Sequence, residues 1–413
     1  MRTPQKISTQ VRHRCAVACL ALLVAGSVHA HETGDGGIPD TPGLQIGASA
    51  ALAYLRADNP LPAVRLPGVL GMGDTPTDQR KGRLEHGTLE AGIRLSPMLG
   101  ATVAAAWHDK EPVHTEAAWI EARPGADSEW TIGAGRNRVP MGTVLSNAGH
   151  FDRYAQAPLI HRATFNGDWI EDGVSVSWRP HLDGVWSWLQ GVDVGTWRAT
   201  RFPGSSDAPW APVVHLRASL GDVGLDGFAS RLQPRGRGAY VQRANSGHTH
   251  TAPQCNTSLR DITCFDGTVD LLGGSAVWAT PLPGVQLTAA GLLRRESGDL
   301  YSQNGNTRYR GRTVGGWVEA LWQPNATWDL GLRLERLQGR HALEGPGATL
   351  VATDSNLLPN QASQRAAAML GWRPAADWLL TLEGGRERIA QVNGKFLAVR
   401  LLWTPSPLFA KNW

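Results

Sequence analysis

The feature that most constrains this chain is a short break that keeps returning: a strand-like run ending in Trp or Leu, then Pro or a Gly/Asp turn, then another apolar strand. It reads LSPMLG at 95–100, ARPGADSEW at 122–130, SWRPHLDGVW at 177–186 and SLGDVGL at 219–225. It returns as TPLPGVQL at 280–287, LWQPNATWDL at 321–330 and GWRPAADWLL at 371–380. Between consecutive breaks lie two alternating strands and one longer polar loop. The chain therefore reads as a meander with tight turns at one end, long loops at the other and aromatic residues beside the tight turns. That asymmetry is the pattern of an all-β transmembrane antiparallel barrel with short periplasmic turns and long extracellular loops.

The first thirty residues read as a signal peptide. Arg2, Lys6, Arg12 and Arg14 form a basic start, residues 15–28 an apolar core too short to span a bilayer, and Val28-His29-Ala30 a cleavage site. The mature chain is expected to begin at His31, so Cys15 and Cys19 leave with the signal. Residues 31–42 then form a short periplasmic segment and 43–413 the barrel. Removing four of the 40 Lys and Arg residues leaves 36 against 36 Asp and Glu. A neutral mature chain gives no support for nucleic-acid binding, which needs a basic face. No stretch approaches the ~20 apolar residues of a membrane helix.

Eight strand pairs separated by seven tight turns give sixteen strands, an even count as in single-chain bacterial barrels. They are placed at 43–55, 84–96, 101–109, 114–122, 130–136, 172–179, 185–197, 210–220, 225–232, 269–280, 285–296, 313–323, 328–338, 363–373, 378–389 and 396–403. Alternation is clean in many of them. Leu89, Ala91, Ile93 and Leu95 oppose His86, Thr88, Glu90 and Arg94, and Leu330, Leu332 and Leu334 oppose Asp329, Arg333 and Glu335. A soluble sandwich would also alternate, but its loops would be short at both ends. The lumen is expected to be polar and wet. Trp130, Trp178, Trp186, Trp278, Trp322, Trp328, Trp372, Trp378 and Trp403 should form the periplasmic aromatic girdle.

With a periplasmic start, long loops fall at 56–83, 137–171, 198–209, 233–268, 297–312 and 339–362, and short ones near 110–113 and 390–395. The third loop, 137–171, carries apolar and aromatic residues that a purely solvated loop would not need, and a loop of that length is functional or disordered. It is expected to fold into the lumen and narrow the pore.

The segments GRNRVPMG (135–142), AQAPLIHRATFNGDW (155–169) and EDGVSVSWRP (171–180) resemble the corresponding region of the phosphate-selective porin O/P-like superfamily. They look closest to its outer-membrane branch often labelled zinc-regulated. The Cys-x8-Cys pair running into FDG at 265–267 and the ending LLWTPSPLFAKNW strengthen the resemblance. The mature start HETGDGG lacks the His-rich run of that branch, and no Lys-rich ladder suited to phosphate is present. The resemblance implies a trimeric porin-like channel.

The candidate filter residues are arginines. Arg136, Arg138, Arg153 and Arg162 flank or lie in the third loop, and Arg94, Arg179, Arg333 and Arg400 face inward from the wall. A guanidinium is a fixed charge that suits carboxylate and phosphate oxygens. A second reading pairs each arginine with Asp152, Asp168, Glu171, Glu90 or Glu335 simply to hold the loop, and residue types alone leave both open.

Cys255 and Cys264, in the fifth long loop of an exported chain, are expected to form a disulfide. His248 and His250 would need thiolates to complete a metal shell, and the scattered His31, His108, His114 and His150 have no ligand spacing, so no metal or other cofactor is expected. No G-x-S-x-G elbow or H-E-x-x-H pair supports an enzyme. The reading is an outer-membrane channel of a Gram-negative bacterium for small hydrophilic or anionic solutes. Its partners are outer-membrane lipids and the barrel assembly machinery. A receptor or surface-binding protein without channel activity is the alternative.

Overall fold

A computed structural model of the chain describes residues 37–413 apart from 59–65, 67–68, 72–81, 109–111, 149–151, 166, 201, 203–204, 206, 208, 241–254, 256–258, 260–261 and 358–359. The expected signal peptide, His31, His150, His248 and His250 lie outside the described residues. Every strand belongs to one antiparallel sheet. The first half of the wall is β1 (Gly43–Ala57), β2 (Gly82–Ser96), β3 (Leu99–Trp107), β4 (His114–Ala122), β5 (Trp130–Arg138), β6 (Ile170–Trp178), β7 (Leu189–Arg198), β8 (Trp210–Leu220) and β9 (Val223–Leu232). After the short β10 (Arg237–Tyr240) come β11 (Ile262–Ala279), β12 (Val285–Ser302), β13 (Gly305–Trp322), β14 (Trp328–Glu344), β15 (Asn360–Trp372), β16 (Trp378–Ile389), β17 (Val392–Trp403) and the short β18 (Phe409–Asn412).

Sixteen long strands form the wall, and β1 closes it. Its far half pairs with β17, from Ala50 opposite Trp403 to Ala57 opposite Phe396, and its near half pairs with β18, Gly43 opposite Asn412. Two prolines, Pro405 and Pro407, separate β17 from β18; lacking an N–H, proline cannot donate to a ladder, and the closing strand is broken there. β10 extends the line of β9 beside β11 in the same way. Among the described residues, closure leaves no edge strand exposed, the condition for a sheet to sit in lipid.

The expected alternation is realised. On β14, Leu332 is 63% exposed while its neighbour Arg333 is wholly buried, and the same contrast sets Leu330 and Leu334 against Asp329 and Glu335. The exposed apolar rows are the lipid face. Exposed tryptophans ring the tight-turn end as cross-strand partners. Trp130 stacks on Trp178 with centroids 5.6 Å apart and Trp328 on Trp372 at 6.3 Å, and Trp378 meets Trp403 at 6.1 Å. This is the aromatic girdle, where an indole keeps one edge wet.

Three expectations need correction. Residues 297–312 are not a loop: β12 and β13 continue as a hairpin to Ser302 and Gly305. Their period of two persists, but outward positions such as Arg308, Arg310 and Arg312 are charged, so a rule demanding an apolar outer face stops the strands too early. The 390–395 connection shrinks to Ala390 and Gln391, both with positive φ (50° and 71°), the backbone that a two-residue hairpin turn requires. The lumen is also not polar throughout. Inward residues of β7–β13, among them Trp197, Val213, Phe228, Leu271 and Leu292, form an apolar core with residues of the inner loops, because those loops bring their own apolar side chains inside.

Candidate functional site: a strap held inside the barrel

The segment between β5 and β6 carries two short helices, α1 (Thr143–Asn147) and α2 (Leu159–Thr164). Its apolar side chains pack on the inner wall. Val139, Met141, Leu145, Leu159, Ile160, Phe165 and Trp169 are all buried in the same cluster as Phe228, Leu271 and Leu292. Phe165 and Trp169 each meet Phe202, at 4.9 and 5.1 Å between centroids. The composition that distinguished residues 137–171 from a solvated loop is therefore the composition of an internal strap.

The strap's backbone polar groups still need partners once buried, and charged residues of the far wall supply them. Arg294 on β12 donates to the carbonyl of Ala163 at 2.7 Å and to that of Leu70 in the first long loop at 2.6 Å, so one guanidinium ties two loops together. Arg333 on β14 donates to the carbonyl of Gln156 and to Asp152 Oδ2 (2.6 Å), and Arg365 on β15 donates to the carbonyl of Ala157 (3.1 Å). Arg400 on β17 donates to the carbonyl of Asp152 at 2.6 Å and forms an ion pair with Glu85 at 2.7 Å. In the other direction, the amide of Leu159 donates to Glu335 Oε2 (2.7 Å) and that of Gln156 to Glu383 Oε2 (3.0 Å).

These wall residues are themselves linked. Arg333 Nε reaches Glu335 Oε1 at 3.1 Å, and Arg365 Nε reaches Glu387 Oε2 at the same distance. The Arg333 guanidinium lies 3.9 Å from the Tyr154 ring centroid. The result is an alternating lattice of guanidinium and carboxylate across β14–β17, roofed by residues 152–160. Burial pushes the Tyr154 hydroxyl well above its ordinary range. Burial likewise pulls the Arg153 guanidinium below its ordinary value, with Asp329 at 3.5 Å acting in opposition.

The sequence-derived site residues divide into groups. Asp152, Arg333, Glu335 and Arg400 meet at this lattice. Arg138 is bound to Asp168 at 2.9 Å at the junction of strap and wall. Glu171 is buried and accepts hydrogen bonds from the amide of Phe202 (2.9 Å) and the hydroxyl of Thr200 (2.5 Å). Arg162 is half-buried on α2, and Arg153 is held at Asp329. Each of these arginines sits on a different element, so they are not one compact ring.

Arg136 does not face the lumen. It makes a two-pronged pair with Asp172, 2.8 Å for each bond, in the row of Ile132, Val174 and Val176 that faces outward. Reading it with the loop overlooked strand parity. Arg94 and Arg179 are inward but bound elsewhere. Arg94 binds Glu121 and the carbonyl of Pro39 (2.5 Å each), and Arg179 binds Asp193 (2.7 Å). Glu90 is buried on the inner side of β2. Arg294, Arg365, Glu383 and Glu387 were missed. Alternation marks them as inward, but only register shows which inward charges meet the strap.

Cys255 and Cys264 form the expected disulfide, with Cα atoms 6.0 Å apart.

No family model matches the chain, and no curated protein matches it. Outer-membrane barrels are among the similar solved structures. A loop-deletion form of OmpT, an outer membrane protein of Vibrio cholerae, superposes with a TM-score of 0.55 at 10% identity, covering 87% of this chain and 99% of that one. OprB of Pseudomonas putida gives 0.52 at 10% identity over 87% and 94%. The outer membrane channel DcaP of Acinetobacter baumannii gives 0.51 at 9% over 89% and 99%. The chain has the closed sixteen-stranded antiparallel barrel fold that these structures share. At such identities the likeness concerns the fold.

Proposed function

We propose that this protein is a passive outer-membrane channel for small hydrophilic solutes, with residues 137–171 as its constriction. The observation that supports it most is the strap itself. A folded segment inside a closed barrel, its backbone fixed by six inward charged residues, sets the width and lining of the path through the lumen. A binding protein working through its outer loops would have no use for so many buried ion pairs at that depth.

The arginines serve first as anchors in this reading. Because Arg138, Arg153 and Arg333 are each matched by an acid, any preference for anions is weak, and charges farther off than a Debye length of about 8–10 Å contribute little. OmpT of Vibrio cholerae has a trimer form, and a homotrimer is proposed here on that likeness. The resemblance to phosphate-selective porins does not extend the proposal to phosphate.

Planar-bilayer recording on the purified barrel tests the proposal. Discrete channel events are expected, with a small reversal potential toward anions under a salt gradient. Replacing Arg138 and Arg153 together with Gln should move that potential toward cations. Absence of channel events from a correctly folded barrel would refute the channel, and an unchanged potential would leave these two arginines as anchors only.

A further inference from the structure

On the wall next to the strap lattice, across the closing strand β1, four side chains with metal-binding atoms converge: His86 on β2, His108 just past β3, and His114 and Glu116 on β4. One ligand atom from each of His86, His108 and Glu116 lies within 4.8 Å of the others. The His86 and His108 rings stand edge to face with centroids 5.0 Å apart, and His114 stacks on His108 at 5.3 Å. Glu116 sits between them, one oxygen 3.7 Å from His86 Nε2 and the other 3.8 Å from His114 Nε2. His86 and Glu116 are buried, and His108 and His114 are half-buried.

Two irregularities in the wall create this convergence. Between β3 and β4 the register shifts so that Ala104 faces Ala117 while Ala105 faces Thr115. Glu116 is the extra residue, and it and Ala117 both turn inward although they are sequence neighbours. Between β1 and β2 the register shifts again, Ala51 facing His86 and Leu52 facing Leu84, with Glu85 as the extra residue. Bulges of this kind re-aim side chains beside functional sites. Glu85 also lies beyond the last β2–β3 pair, Gly87 opposite Trp107, and its carbonyl oxygen is 2.5 Å from His108 Nδ1. A histidine that donates Nδ1–H to a carbonyl carries its ring lone pair on Nε2, the tautomer of a metal-ligating imidazole oriented in this way.

We propose that His86, His108 and Glu116 form a site for a divalent transition-metal ion on the luminal wall, with His114 or a water as fourth ligand. Imidazole nitrogens with one carboxylate suit zinc, and by the same chemistry copper or nickel; magnesium and calcium want oxygen shells. Nitrogen and oxygen ligands about 2.0–2.1 Å from a tetrahedral ion stand about 3.3 Å apart, so no pair of the three atoms has to close by more than about 1.5 Å, a distance that ring rotation on fixed strands covers. The site does not depend on whether the barrel conducts.

The test is zinc titration of the purified full-length mature barrel in detergent after chelator treatment, followed by calorimetry, with cobalt(II) as a spectroscopic probe. Expected are one zinc per chain and intense visible cobalt bands of a four-coordinate site. His86→Ala and Glu116→Gln should each weaken binding at least about tenfold, while heat-modifiable gel mobility shows that both variants remain folded. A variant with both His248→Ala and His250→Ala, in the fifth loop, should keep full affinity. Absence of stoichiometric binding overturns the proposal, and so does binding that survives in Glu116→Gln but disappears with the two loop histidines.

Discussion

Replacing Arg333 with Met isolates what holds the strap. The native guanidinium has no exposed surface, donates to Asp152, Glu335 and the carbonyl of Gln156, and lies against the Tyr154 ring. Methionine keeps most of the apolar stem but leaves the buried Glu335 and Glu383 and the half-buried Asp152 without their shared cation. Breaking one partner of a buried charge cluster costs about 3–5 kcal/mol, most of it the penalty for the charge left behind. Two of these three acids belong to the wall and one to the strap, so the cheapest relief is for Asp152 and its neighbours to leave the wall. A loss of about 3 kcal/mol then raises the local opening equilibrium of residues 152–160 about a hundredfold. Hydrogen exchange read by mass spectrometry should show strap peptides exchanging about a hundred times faster, with peptides of β3–β8 unchanged, and single-channel conductance should rise. Arg310→Met is the control, since the exposed Arg310–Glu344 pair should contribute less than about 1 kcal/mol. Unchanged strap exchange would refute the anchoring argument. A uniform rise over all wall strands would show instead that Arg333 stabilises the barrel as a whole.

Two further outcomes follow from the packing and the covalent link. Gly133 lies directly beneath the Trp119 indole, which stacks on Trp197 at 5.5 Å, so Gly133→Val should cost about 1–3 kcal/mol by overpacking and lower the urea concentration at which the barrel loses its folded gel mobility; an unshifted midpoint would mean that the ring moves aside freely. Cys255 and Cys264 should take up no alkylating reagent without reductant and two equivalents after reduction, by intact mass; labelling before reduction would contradict the bond.

The sequence by itself determined the wall. Tight Pro- and Gly-bearing turns every second connection, tryptophans beside them and a period of two over residues 88–95, β14 and β17 leave few alternatives to a closed barrel, because a membrane strand must show lipid one face and the lumen the other. The same chemistry set 137–171 apart from a solvated loop, since Leu159, Ile160, Phe165 and Trp169, all buried, have no reason to stay in water. Parity should also have excluded Arg136, whose place in the row of Ile132 was readable. What only the tertiary structure decided is who meets whom across the lumen. Asp152 and Arg333 are 181 positions apart, and their contact depends on sheet closure, strand stagger and the path of the strap, none of which leaves a local trace. The His86–His108–Glu116 cluster lay beyond sequence reading for a sharper reason. A bulge adds one residue to one strand and reverses its alternation beyond that point, so strict alternation assigns Glu116 to the wrong face.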